Sequence, residues 1–69
     1  MTDTKKLKGY IVANGYTQKK LAILLGLSYQ SLNKKIHNKV EFRASEILKL
    51  ATILKILDTQ SVFFARPVD

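Results

Sequence analysis

The chain has no cysteine and a single histidine, so neither a disulfide framework nor a metal site can hold it together. Proline is absent until Pro67, and glycine occurs only at positions 9, 15 and 26, which leaves most of the 69 residues free to be helical. Acidic residues are scarce: five Asp and Glu face twelve Lys and Arg, a formal charge of +7. The opening residues MTDTKKLKGY lack the apolar stretch of a secretory signal, and no run approaches the length of a membrane span. A soluble protein of a reducing cytoplasm is expected, and the absence of cysteine fits that compartment. With no disulfide or metal to staple it, one small domain over residues 1–69 must rest on apolar packing, which in chains this short supplies only about 3–5 kcal/mol.

The same absences argue against catalysis. A nucleophilic cysteine, a glycine-rich phosphate loop and a carboxylate pair with a plausible pocket are all missing, so no enzyme, cofactor or small-molecule substrate is implied. The charge is lopsided as well. Ten of the twelve cations lie in residues 1–49, and Asp3 is the only acid before Glu41. Such asymmetry sets up a positive field that favours polyanionic partners, although a merely solvated lysine-rich surface has the same composition.

Periodicity predicts five short helices and no strand, an all-α fold. The first runs from about Thr4 to Asn14, with Leu7, Tyr10, Ile11 and Asn14 on one face, and Asn14-Gly15 ends it. Thr17 reads as the N-cap of a second helix whose apolar stripe is Leu21, Leu24 and Leu25, with Ala22 adjoining. Gly26 stops that helix, and Ser28 opens a third, to about His37. There the apolar positions thin to Leu32 and Ile36, while Gln30, Asn33, Lys34 and His37 occupy the other side. A helix this polar is poorly anchored unless its outer face has another use. A loop over 38–43 should bury Phe42 as a plug. A fourth helix, from Ala44 or Ser45 to Leu54, presents Ile47, Leu50, Ala51 and Leu54. Asp58 should cap a last turn whose Val62, Phe63 and Phe64 close the core, and residues 65–69 should fray. Leu48, Ile53, Ile56 and Leu57 fall outside the stripe; the fifth helix is expected to cover Ile56 and Leu57.

Two short helices joined at Gly26 suit a helix-turn-helix over about residues 17–37, in which the second helix enters the DNA major groove and the first lies across it. Ala22 is small where the helices approach, Gly26 permits a positive φ, and Leu27 and Leu32 pin one helix to the other. An ordinary αα-hairpin in a small bundle has the same spacing.

The stretch TQKKLAILLGLSYQSLNKKI resembles the helix-turn-helix of lambda-repressor-like, Cro/CI-type phage regulators, and the resemblance covers about residues 5–64. Thr17-Gln18, Leu21-Ala22, Leu25-Gly26-Leu27-Ser28 and Leu32 carry it. LKGYIVANGYTQKKLA, SLNKKIHNK, EFRASEI and FFA are closer still to the modulator-of-repression antirepressors and Cro-like proteins of temperate lactococcal phages. This implies a compact five-helix fold and a transcription regulator of the lysis–lysogeny switch in the bacterial host cytoplasm. Its implied partners are a CI-type repressor and double-stranded DNA, with no membrane involved. One departure stands out: the slot three residues after Leu32, usually apolar in that family, is Lys35, and Ile36 follows it. The third helix is therefore expected to be rotated or to carry its charge differently.

On this basis Ser28, Tyr29, Gln30, Ser31, Asn33 and Lys34 are the candidate contacts to DNA or repressor. Gln30 can bond adenine bidentately and Lys34 can donate to guanine O6 or N7. Gln18, Lys19, Lys20, Lys35, Lys39 and Arg43 are the candidate phosphate contacts, which position a protein without specifying sequence. A solvated polar face accounts for the same residues without any partner. Two binding functions stand side by side: an antirepressor that docks a CI-type repressor, through apolar anchors or acidic spots such as Glu41 and Glu46, and a Cro-like repressor that reads operator DNA itself.

Overall fold

A short helix has amides in its first turn that no preceding turn can satisfy, and the way they are satisfied sets where each helix of this protein begins. The computed structural model describes residues 1–66, and in it the helices are α1 (Thr4–Ala13), α2 (Gln18–Leu25), α3 (Tyr29–Ile36), α4 (Ala44–Ile53) and α5 (Thr59–Phe63). No strand occurs among the described residues, and the fold is all-α as the periodicity predicts. Side-chain oxygens of Asp3, Thr17, Ser28 and Asp58 accept from the amides of Lys6, Lys20, Ser31 and Ser61 at 3.1, 3.1, 3.0 and 3.2 Å. α4 begins differently. Arg43 offers no side-chain acceptor, and Glu46 Oε1 reaches back to accept from the Arg43 amide at 2.8 Å, half of a capping box.

Helix ends share one device. The amides of Tyr16, Leu27 and Lys39 donate back to the carbonyls of Ile11, Ala22 and Lys34 at 3.0, 2.9 and 2.8 Å, closing α1, α2 and α3 in Schellman motifs. The left-handed residues that permit this are Gly15, Gly26 and Asn38, with φ of 73°, 70° and 64°. Lys55 takes the same role after α4 at φ 56°. The turn that joins α2 to α3 thus consists of Gly26, Leu27 and Ser28, one residue to end a helix, one to pack and one to start the next.

The core gathers Leu7 and Ile11 of α1, Leu21, Ala22 and Leu25 of α2, Leu32 and Ile36 of α3, Leu50 of α4, and Leu54, Ile56, Val62 and Phe63. Phe42 plugs the α3–α4 loop, half-buried with its ring edge-on to Phe63 at 5.5 Å. Asn14 lies on the apolar face of α1 because its amide donates to the carbonyls of both Tyr10 and Leu54, at 2.8 and 3.0 Å, and so ties α1 to the end of α4.

Three apolar assignments are corrected. Leu24 is 44% exposed, and Ala22 takes its place in the core because α2 and α3 approach along that side. Ile56 is buried, but Leu57 is 98% exposed, since the turn at Lys55 sends the next side chain outward. Phe64 is also exposed and does not close the core.

The N-terminal segment is part of the fold. Thr2 is buried; its amide donates to Asn38 Oδ1 at 2.7 Å, and Asn38 Nδ2 donates to the Thr2 carbonyl at 2.9 Å. Thr4 Oγ1 donates to the Ile36 carbonyl and the Asp3 amide to that of Val62, both at 2.7 Å, strapping the end of α3 to α5. Ala65, placed in a fraying tail by the sequence, instead exchanges backbone hydrogen bonds with Met1 at 2.9 and 3.1 Å. Arg66 follows it exposed, and the remainder of that expectation, residues 67–69, lies outside the described residues.

Ala22→Leu should crowd the α2–α3 contact and cost about 1–3 kcal/mol, seen as a lower melting temperature by circular dichroism. Gly26→Ala should cost about 1–2 kcal/mol by a different route. No atom lies within 4 Å of the new methyl group, so the loss there is backbone strain alone.

Candidate recognition surface

α3 turns its apolar side inward and a polar side out. Leu32 and Ile36 are fully buried one turn apart, and Lys35 beside them is buried too. The opposite side carries Gln30, Lys34 and His37, all exposed, with Tyr29 exposed at the first turn and Ser31 and Asn33 half-buried at the flanks. Ser28 is exposed, and its oxygen is engaged in capping the helix. The His37 imidazole Nδ1 lies 2.9 Å from the Asn33 carbonyl, which can only accept, so Nδ1 carries the proton there.

α2 contributes a second row. Lys19, Lys20 and Ile23 are exposed, with Leu24 at the edge. Gln18, expected at a phosphate, donates through Nε2 to Asn33 Oδ1 at 3.1 Å, a side-chain bridge between α2 and α3. Lys39 and Arg43 are exposed in and after the turn that follows α3. The structure therefore brings Tyr29, Gln30, Lys34 and the Gln18–Asn33 pair onto the two helices as one candidate surface, with Lys19, Lys20, Lys39 and Arg43 free in solvent.

Lys35 does not belong to that set. Its ammonium donates to both carboxylate oxygens of Glu46 at 2.6 and 2.7 Å, and both side chains are 9% exposed. It is the one buried cation among the described residues. The apolar slot of α3 is filled by its aliphatic stem, so the helix keeps an inward-facing register and the charge is neutralised inside. Glu46, expected as an acidic docking spot, is withdrawn with it. Sequence reasoning missed the pair, although a signal was present: Lys35 falls within the apolar stripe Leu32–Ile36 of α3, and Glu46 stands one turn before Leu50, in line with the Leu50–Leu54 stripe of α4. Two opposite charges out of place on inward faces are each other's natural partners.

Burial acts on Glu46 most strongly and pushes its carboxyl up. The Lys35 hydrogen bonds, the Arg43 amide and the charges of both cations together outweigh it and hold the pKa below its ordinary value.

An all-helical domain with a polar, partly aromatic helix held outward by a buried ion pair is the class of molecule these observations define. The chain belongs to a family described as a protein of unknown function (DUF739), whose model matches residues 1–65 and so takes in all of α1 to α5. No curated protein matches it. No helix among the described residues is long and apolar enough to cross a membrane.

Because the folded-state pKa of Glu46 is depressed, its contribution to stability is present above the ordinary glutamate range and is lost as pH falls through the folded value. Urea midpoints should therefore decline below about pH 4.5, and Glu46→Gln, which keeps the cap acceptor without the charge, should show a shallower decline. Glu46→Leu strands a buried ammonium and should cost about 3–5 kcal/mol, enough to unfold a domain of this size. Adding Lys35→Met should recover most of that loss, short of about 1 kcal/mol for the missing cap.

Proposed function

We propose that this protein is a phage-type helix-turn-helix regulator of the lysis–lysogeny switch that works as an antirepressor, binding a CI-type repressor through the outer face of α3. The observation that carries the reading is the composition of that face. Gln30 and Lys34 stand exposed one turn apart beside an exposed Tyr29, and across the Gly26 turn Ile23 and Leu24 are exposed on α2. Aromatic and aliphatic groups left in solvent next to polar ones are what a protein partner covers, and aromatics are enriched in protein interfaces. The resemblance of residues 5–64 to lambda-repressor-like phage regulators supplies the biological setting, in the cytoplasm of a bacterial host. The geometry is compatible with it: the helix pair meets at a three-residue turn, and α3 is oriented by burial of Leu32, Lys35 and Ile36.

A Cro-like repressor that binds operator DNA directly is the second reading. It is favoured by the exposed cations Lys19, Lys20, Lys34, Lys39 and Arg43 around α3 and by Gln30, which can pair with adenine. Neither reading asks the chain to catalyse a reaction or to hold a cofactor. Salt and sequence dependence separate them. A +7 domain attracts any duplex, with affinity that falls steeply with salt, whereas an operator reader retains a sequence preference.

Fluorescence anisotropy with labelled switch-region DNA, alone and with the CI-type repressor added, tests the proposal. Weak, sequence-indifferent binding together with altered repressor occupancy is the expected result; tight, sequence-dependent binding by this protein alone would establish the Cro-like reading instead. Gln30→Ala with Lys34→Ala should leave the melting curve unchanged, since both are solvent-exposed, and should weaken partner binding by about tenfold to a hundredfold. Unchanged binding to both repressor and DNA would remove α3 as the contact surface.

A further inference from the structure

The α2–α3 surface is biased toward hydrogen-bond donors. No acid occurs between Asp3 and Glu41, and the exposed ammonium groups of Lys19, Lys20 and Lys34 can only donate. Asn33 would ordinarily offer an acceptor and a donor side by side. Here its Oδ1 accepts from Gln18 Nε2, which fixes the plane of the amide. Among the described residues no buried side-chain nitrogen or oxygen lacks a partner, so Asn33 Nδ2, unbonded within the described fold, reaches solvent. The oxygen of Ser28 accepts from the Ser31 amide, and its hydroxyl retains a hydrogen to donate. Gln30 alone retains a free amide of both kinds on the exposed row.

We propose that this face docks an acidic protein surface, with Asn33 Nδ2 donating to a partner carboxylate or main-chain carbonyl and Gln18 acting as the residue that positions it. The inference rests on the antirepressor reading and names the chemistry of the repressor surface engaged. Charge complementarity selects the occupant. Exposed lysines on both helices steer a carboxylate-bearing partner, while Ile23, Leu24 and Tyr29, 67%, 44% and 51% exposed, give that partner apolar area to bury. Duplex DNA matches the cations but offers phosphates where this face offers aliphatic side chains. An immobilised Asn33 amide also fits adenine poorly, because bidentate pairing needs both its oxygen and its nitrogen presented together.

Calorimetric titration of a purified CI-type repressor into wild type and variants tests this, with melting curves alongside. Asn33→Leu removes the donor without adding charge and should weaken binding by about tenfold. Asn33→Asp keeps the bond from Gln18 but presents an acceptor, and should weaken it on the order of a hundredfold. Gln18→Leu should weaken binding in the wild-type background and have no further effect in the Asn33→Leu background, a non-additivity that a general loss of stability would not produce. Lys34→Glu, at an exposed position outside the core, should keep the fold on its melting curve and lose affinity comparably. If wild type binds the repressor and Asn33→Asp and Lys34→Glu bind it equally well, the acidic-surface inference is overturned and the antirepressor function stands. If wild type ignores the repressor and binds duplex DNA, both fall, and DNA is the occupant.

Discussion

The contact between the Lys35 ammonium and the Glu46 carboxylate decides which way α3 faces. An eight-residue helix with only Leu32 and Ile36 as apolar anchors has little to fix its rotation, and a lysine between them would by default turn toward water. Burying that lysine is tolerable because the partner carboxylate is itself held, by the Arg43 amide, at the first turn of α4. The same oxygen that caps α4 therefore neutralises α3. Rotation of α3, initiation of α4 and the course of the loop between them are set by one group. Such a pair contributes little net stability over an apolar substitute, and its effect is better described as specifying orientation. With Lys35 held inside, the Gln30–Lys34–His37 row has only one side on which to appear.

Short helices make this specification necessary. α2 and α3 are eight residues each and α5 five, lengths at which isolated helices do not persist in water. Their stability comes from satisfied ends and from packing around a small core. Four of the five have a side-chain oxygen at the start, and α1, α2 and α3 end in the same backward-bonded turn. The N-terminal strap extends the principle. By bonding Asn38 on both sides of its amide, Thr2 holds the left-handed residue that terminates α3, so the lower end of the candidate surface is braced from α1 and α5 as well.

What could be foreseen from the sequence follows from the range over which each signal acts. Thr17, Ser28 and Asp58 as caps, Gly15 and Gly26 as stops, and the Leu7–Ile11 and Leu32–Ile36 stripes are local, and each is found where periodicity and turn chemistry put it. Leu24 and Leu57 are different: whether an apolar side chain at the edge of a stripe is covered depends on the crossing of two helices or the exit angle of a turn, neither of which is written locally. Lys35–Glu46 and Gln18–Asn33 span 11 and 15 residues, and Thr2–Asn38 spans 36. Of these only the first left a trace in the pattern, as two charges in line with apolar faces. The candidate surface was thus legible as a set of residues on α3, but not the division of labour within it.

That division bears on how a domain this small can recognise anything specific. Exposed lysines on flexible stems supply attraction at low geometric precision, and a net charge of +7 alone would draw the protein to any polyanion. Discrimination requires groups whose direction is fixed before the partner arrives, since the cost of ordering them is then already met by the fold. Two contacts fix directions here: the buried ion pair, which sets the rotation of α3, and the Gln18–Asn33 bridge, which sets the plane of one amide on it. Both are polar contacts between helices, and both would contribute little to a ledger of stability. Their consequence is directional. In the proposed reading the exposed cations supply attraction, and these fixed directions supply the discrimination that charge by itself does not.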